Sequence, residues 1–329
     1  MEKRTVLEHT TRALRFDGLW WRKLAYLGSV YGPEWWKRWS PPFFAAAAFA
    51  LAAGNRRNAI ANMRRVLGTD DSWTVAVAAL RMFSEFSYCL SETLEYYSPR
   101  PQPLRLEQPE HDPIGESLRA GKGVVLVTGH FGNWDIAAKT LRDYGRPLNI
   151  VMAHDVNAST QEYVRSTRER AGVRVLFSDT SVFSSLNMIR ALRENEIVAI
   201  QLDRMLGAGG ARMLPFLGHL APFPSGPFVL ARLAGAPLIP VFVPRRGRRH
   251  YAVQVGQSVL VPREARDPAA LDRVMMEVVS QFEAMVRRHP TQWFQFASFW
   301  PAEETPSVQS DSRRRAQVAG PRAASRITT

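Results

Sequence analysis

The sequence predicts an α/β fold, a mostly parallel central sheet flanked by helices, behind an N-terminal helical region with the composition of a membrane interface. Three observations carry this. From Gly121 on, short apolar runs bounded by turn residues alternate with helical patterns, the signature of parallel strands joined by crossover helices. Residues 73–97 repeat apolar side chains at the helical period (Val75, Ala79, Met82, Phe83, Phe86, Leu90, Leu94), which predicts one long helix. The first 65 residues are basic and rich in tryptophan, whereas the body of the chain is nearly neutral.

In the N-terminal region Trp20, Trp21, Trp35, Trp36 and Trp39 alternate with Arg22, Lys23, Lys37 and Arg38, and an apolar run occupies 43–53. Tryptophan beside cationic side chains suits the lipid–water boundary, where each cation near anionic lipid contributes about 1 kcal/mol. The same tryptophans also suit a helical layer packed on the core. The apolar run has eleven residues, short of the roughly 20 that span a bilayer, so a dipping helix over 41–53 is the most it allows. Residues 56–68 read as a short amphipathic helix ended by Gly68, and 69–72 as a turn and cap. After the long helix, prolines at 99–103 break the pattern, 104–107 reads as an edge strand and 114–120 as a short helix.

In the body, strands are expected over 124–128, 148–152, 173–177, 197–202, 238–243 and 252–255, and helices over 133–143, 158–171, 181–194, 225–235 and 268–288. After Pro301 the chain turns Ser-, Arg- and Ala-rich without periodicity, which predicts a disordered tail. The expected division is therefore a membrane-associated helical region over 1–66, an α/β domain over 67–302 and a basic tail over 303–329.

Charge and cysteine usage exclude several classes. The net charge is +13, of which +8 falls in residues 1–65 and +4 in 308–329, leaving +1 for the body. A nucleic-acid-binding sheet would need its basic residues on the central domain. One cysteine, Cys89, excludes an internal disulfide and a thiolate zinc site. The first forty residues lack a long apolar run, so no cleavable signal peptide is expected. There is no phosphate loop, no dinucleotide-binding glycine fingerprint and no nucleophile elbow, since Ser225 lies in Pro224-Ser225-Gly226 without the flanking glycine.

The most informative stretch is Val124-Val125-Leu126-Val127-Thr128-Gly129-His130-Phe131-Gly132-Asn133-Trp134-Asp135. His130 falls at a strand-to-helix corner, where parallel sheets hold their ligand sites. An imidazole there can act as general base if a carboxylate fixes its tautomer and holds the resulting charge. Residues five apart do not share a helix face, so pairing His130 with Asp135 requires the histidine to fold back over the first turn, a bend that Gly129 and Gly132 permit. A capping histidine and a first-turn aspartate would carry the same spacing. Asp203 and Arg204 follow the strand at 197–202 and emerge at the same sheet edge, suited to binding a headgroup or phosphate, to supporting the histidine, or to a local ion pair. Arg168 precedes the strand at 173–177, within reach of that edge or on a solvated helix face. Phe216, Gly218, Ser225 and Gly226 belong to a proline- and glycine-shaped apolar stretch that suits an acyl chain or plain packing. Residues 289–296 read as an aromatic cover for the core.

In order along the chain, Arg56-Arg57-Asn58, Gly129–Asp135, Asp203-Arg204, Pro215-Phe216-Leu217-Gly218, Phe223–Pro227 with Gly235–Val241, and Pro290-Thr291-Gln292-Trp293 resemble the lysophospholipid acyltransferase superfamily. Within it they resemble the bacterial lipid A biosynthesis lauroyl/myristoyl acyltransferases and the phosphatidylinositol mannoside acyltransferases, over about residues 56–301. The resemblance implies a glycerol-3-phosphate acyltransferase-like fold at the cytoplasmic face of a bacterial inner membrane. It implies that His130 deprotonates a hydroxyl of a lipid or glycolipid acceptor, that Asp135 orients His130, and that the acyl donor is a thioester of acyl carrier protein or coenzyme A. It implies substrate-binding roles for Arg168, Asp203, Arg204, Phe216, Gly218, Ser225 and Gly226, and no metal or redox cofactor. A lysophospholipid acceptor, an amine acceptor and a non-catalytic lipid-binding homologue are the competing readings. The chain departs from some relatives in its short N-terminal apolar helix and in having Arg212-Met213-Leu214 where they carry an acidic residue.

Overall fold

The computed structural model describes residues 19–301, apart from 154–160, 163, 164, 167, 170, 171, 179–181, 205–209 and 266. The tail expected over 303–329 and most of the helix expected over 158–171 lie outside these residues.

Helices α1 (Leu19–Tyr31), α2 (Glu34–Leu51) and α3 (Ala53–Leu67) form an N-terminal layer against the long helix α4 (Ser72–Tyr96). Helix α4 starts where Asp71 accepts hydrogen bonds from the N–H groups of Trp73 and Thr74, an N-cap that satisfies otherwise orphaned donors. Helix α3 ends at Gly68, whose φ of 62° is the left-handed conformation that glycine adopts without penalty. Helix α2 runs through Pro41 and Pro42, where the sequence suggests only a short element over 41–53. A proline inside a helix orphans the carbonyl four residues earlier. For Pro42 that carbonyl belongs to Arg38, and the Tyr88 hydroxyl of α4 donates to it at 3.2 Å. Among the described residues no helix is long and apolar enough to cross a membrane, so a spanning N-terminal region is not supported.

Strand β1 (Arg105–Glu107) and helix α5 (Pro113–Arg119) lead into the α/β body: β2 (Val124–Thr128), α6 (Trp134–Arg142), β3 (Leu148–Ala153), β4 (Val173–Ser178), α7 (Val182–Arg193) and β5 (Ile197–Gln201). A hairpin follows, β6 (Ala211–Phe216) and β7 (His219–Pro224), then α8 (Gly226–Ala234) and β8 (Leu238–Phe242). Short strands β9 (Arg245–Gly247), β10 (His250–Ala252) and β11 (Gln254–Val255) and the helix α9 (Pro268–Arg288) close the body. The six-stranded sheet has the order β11-β8-β2-β5-β3-β4 and is parallel except for the edge strand β11. The expected strands are present, with 252–255 divided between β10, which joins β1 and β9, and β11. β2 lies at the centre and its first four residues are buried, as an uninterrupted apolar run between two helical layers should be. Its neighbour β5 pairs with it in register from Val124↔Ile197 to Thr128↔Gln201. The proline- and glycine-shaped apolar stretch around Phe216 and Gly218 belongs to a two-stranded hairpin over 211–224 packed on α9. Its prolines are tolerated because such a pair has free edges.

Candidate active site

The register of β2 against β5 determines what meets at the sheet edge. Thr128 lies opposite Gln201, so two residues further along each strand His130 and Asp203 emerge side by side. The His130 backbone N–H donates to Asp203 Oδ2 at 2.7 Å, and its ring Nδ1 is 2.8 Å from Asp203 Oδ1. Trp293 Nε1–H donates to the same Oδ2 at 2.9 Å, and Gln295 Nε2 donates to the Asp203 carbonyl at 3.1 Å. Asp203 is 2% exposed. Burial pushes its carboxyl up, but the charge on His130 and the hydrogen bonds from His130 and Trp293 more than offset this and hold it below its usual value. In the neutral ring, a carboxylate at Nδ1 places the proton on that nitrogen and leaves Nε2 its lone pair.

Asp135 does not make the pairing expected of it. It lies in the first turn of α6, and its Oδ1 accepts from Arg168 Nε at 3.0 Å and Nη2 at 2.7 Å. Its backbone carbonyl accepts from the Tyr97 hydroxyl at 2.9 Å. The reason is geometric: His130 precedes the helix and turns its ring towards β5, while Asp135, already helical, points along the β3 side. The chain does bend at Gly132, ahead of the helix. Gly132 has φ 56°, and a Cβ there would stand 2.1 Å from the Val243 carbonyl oxygen. A Cβ on Gly129 would meet the Phe282 ring at 2.6 Å and Asp203 Oδ2 at 3.2 Å. Asn133, at the head of α6, anchors the turn from behind: its side chain donates to the Cys89 carbonyl and to the Tyr251 hydroxyl, each at 3.1 Å, and accepts from Thr93.

Beside the histidine a cavity of about 400 Å³ opens between α6 and the sheet. Its helix wall is Trp134, Ala137, Ala138 and Leu141, one stripe at helical spacing. Its floor is Leu126 of β2, Leu148 and Ile150 of β3 and Ala199 of β5, alternate residues on one sheet face. Thr128, His130, Gln201, Met152, Arg168 and Arg204 surround its other end. The polar end is therefore at the carboxyl edge of the sheet and the apolar end runs back beneath α6, about 13 Å from Met152 to Leu148 at the usual strand rise. The arrangement offers a proton acceptor at the mouth of an apolar slot, flanked by two arginines.

Of the sequence-derived candidates, His130, Arg168 and Arg204 line this cavity, with Asp203 and Asp135 directly behind His130 and Arg168. The others lie elsewhere. Phe216 is buried in an aromatic cluster with Phe223, Phe282, Trp293, Phe299 and Trp300. Gly218 forms the hairpin turn with φ 81°. Ser225 donates to the Gly210 carbonyl at 2.8 Å, and Gly226 opens α8. Trp293 and Gln295, which the sequence suggests only as core cover, hold Asp203, Trp293 by the carboxylate that faces His130 and Gln295 by the backbone carbonyl. The signal for them was the unusual placement of amides and an indole N–H in an otherwise apolar segment.

Residues 9–301 match the family described as bacterial lipid A biosynthesis acyltransferase. A phosphatidylinositol mannoside acyltransferase of Mycobacterium tuberculosis (strain ATCC 25618 / H37Rv) is 28% identical over 207 residues, 62% of this chain and 63% of that protein. A phosphatidylinositol mannoside acyltransferase of Mycolicibacterium smegmatis (strain ATCC 700084 / mc(2)155) is 27% identical over 206 residues, with the same coverage. The chain thus aligns with about 63% of the length of these relatives.

Proposed function

The chain belongs to the bacterial lipid A biosynthesis acyltransferase family, and from that premise we propose that it moves a fatty acyl group from an acyl thioester to a hydroxyl of a lipid or glycolipid. The donor in this reading is a thioester of acyl carrier protein or coenzyme A. The observation that carries the reading is His130, held at Nδ1 by buried Asp203 with its ring at the mouth of an apolar slot. His130 takes the proton of the acceptor hydroxyl through Nε2 as the oxygen attacks the thioester carbonyl. The carbon–sulfur bond then breaks and the thiol leaves with the proton returned by the imidazolium. Asp203 fixes the tautomer and stabilises the cation during the transfer. Asp135 has a different task from the one its spacing suggests: it holds Arg168, and with it the charge at the mouth. The slot beneath α6 receives the acyl chain, and Arg168 and Arg204 meet the anionic groups of donor or acceptor.

The same reading sets the protein on the cytoplasmic face of a bacterial inner membrane. Trp35, Trp39 and Phe43 of α2 are 65%, 57% and 73% exposed. Their spacing of four aligns them on one face, with the Arg38 guanidinium over the Trp39 ring. An aromatic and basic stripe of this kind supports interfacial docking.

The test is lipid mass spectrometry of the host with the gene deleted, then complemented by wild type or His130→Ala. The expected result is one lipid class that lacks a single acyl chain and is restored by wild type alone. Full restoration by His130→Ala would remove the general-base mechanism.

A further inference from the structure

His130 and Asp203 stand on separate loops, 73 residues apart in sequence. Strand register aligns them only as far as Thr128 and Gln201; beyond those residues something else must hold the two side chains at hydrogen-bonding distance. The segment 292–295 touches both loops. On the histidine side, the Phe294 N–H donates to the His130 carbonyl at 2.7 Å and the Gly132 N–H donates to the Gln292 carbonyl at 2.9 Å. Phe131 and Trp293 form an antiparallel bridge between these bonds. On the aspartate side, Trp293 Nε1–H binds Oδ2 and Gln295 Nε2 binds the backbone carbonyl.

The segment is itself fixed from two directions. The Gln292 amide accepts from the Arg245 N–H at 2.7 Å and donates to the Arg245 carbonyl at 2.8 Å. From α3, Asn62 Nδ2 donates to the carbonyls of Gln295 and Ala297 at 3.0 and 2.7 Å, and its Oδ1 accepts from the Phe299 N–H at 3.3 Å. Asn58 adds a bond to the Phe296 carbonyl at 3.1 Å. The buried Asn62 side chain thus bonds the last residue of this segment and the two residues 297 and 299 just beyond it. The strap and the residue after it account for two motifs that the chemistry leaves unused, Pro290–Trp293 within and before it and Asn58, which bonds Phe296.

We propose that residues 292–295 are a positioning strap that registers His130 against Asp203, and that Trp293 acts on catalysis through its N–H on the Asp203 carboxylate. The inference rests on the general-base reading above. Trp293 meets no substrate in it; it is a positioning residue. Its ring is 1% exposed among Phe216, Phe282, Phe299 and Trp300, so phenylalanine can fill most of that space while removing the single donor.

The experiment is a double-mutant cycle on the full chain with Trp293→Phe, Asp203→Asn and both together. The readout is thiol release from 16-carbon acyl-coenzyme A and acyl-carrier-protein donors, with total polar lipid of the deletion host as acceptor. Trp293→Phe is expected to lower the rate about tenfold, the scale of one hydrogen bond to a charged group, with the donor KM unchanged. In the Asp203→Asn background it should cause no further loss, because residues that act as one unit are not additive. A packing role alone would lower the rate by the same factor in both backgrounds, and that outcome, or an unchanged rate in the single variant, overturns the inference. If Trp293→Phe melts early, Gln295→Met takes its place in the same cycle. No thiol release by wild type with either donor, or a wild-type rate for Asp203→Asn alone, would instead sink the general-base reading itself.

Discussion

Neutralising each aspartate separately gives opposite outcomes in this structure and under the spacing of the motif. In Asp203→Asn the position of Oδ2 receives two donors, the His130 N–H and the Trp293 indole N–H. The amide oxygen is therefore held there, and the amide NH₂ faces His130 Nδ1. A donor at Nδ1 forces the tautomer with its proton on Nε2, which deprives the acceptor hydroxyl of its base. General-base catalysis contributes about 10²–10⁴-fold, and the rate should fall by that factor. In Asp135→Asn the amide oxygen can still accept from both Arg168 donors, and only the charge is lost. The two side chains are 20% and 12% exposed, so the pair is partly screened. Charge-assisted bonds are about twice as strong as neutral ones, which puts the loss at about 1–2 kcal/mol, a fall in Tm of several degrees.

Asp135→Asn should accordingly retain kcat within about tenfold and show its effect mainly in KM, since Arg168 stands at the cavity mouth. Thiol release and thermal melting of the two variants, measured side by side, check this. Abolished transfer in Asp135→Asn at an unchanged melting temperature, with Asp203→Asn close to wild type, would refute the assignment of Asp203.

Three further outcomes are expected. Gly132→Ala places a Cβ at φ 56° and 2.1 Å from the Val243 carbonyl oxygen, so the turn must shift; both melting temperature and thiol release should fall sharply, whereas Gly54→Ala, with open space around it, should alter neither. Ala199→Phe fills the middle of the slot floor and should shift the donor preference towards shorter acyl chains by about tenfold or more in a competition assay. Arg249 and Arg248 hold the Glu34 carboxyl at about 2, below its ordinary 4.5. A depressed folded value stabilises above the unfolded one and is lost as the pH falls through the folded one. Glu34→Gln should therefore melt below wild type at neutral pH, by a small margin because the carboxyl is exposed, and the gap should close between pH 4.5 and about 2.

The elements of the sheet were legible because each buried strand is a continuous apolar run and each crossover helix has its own periodicity. The edge at which His130 and Asp203 emerge was legible for the same reason, since both follow such runs within two residues. Their pairing was legible only as one alternative, Asp203 supporting the histidine, beside a headgroup site and a local ion pair. It depends on β5 lying next to β2, and strand order is a tertiary fact that no local spacing encodes. The continuous path of α2 through Pro41 and Pro42 was hidden in the same way: the compensating donor, Tyr88, comes from a helix fifty residues away. The hairpin over 211–224 was obscured by its prolines, which argue against a central strand but not against an isolated pair.

Strand order also explains why the carboxylate beside His130 comes from another strand. The chain leaves β2 through α6 and returns two positions away at β3, and β5 later fills the gap between them. From β5 it crosses to the other side of β2, where β8 pairs. The carboxyl ends of β2 and β5 therefore lie where successive connections diverge, and such a switch point leaves a crevice that no crossover covers. A carboxylate in the helix that follows β2 is carried away from that crevice towards β3, as Asp135 is. A carboxylate just past the end of β5 stays in it and is buried against the histidine, as Asp203 is. In a relative with the same strand order, moving the acidic residue from the end of β5 into the first turn of the helix after β2 should abolish activity even though it restores the spacing of the motif.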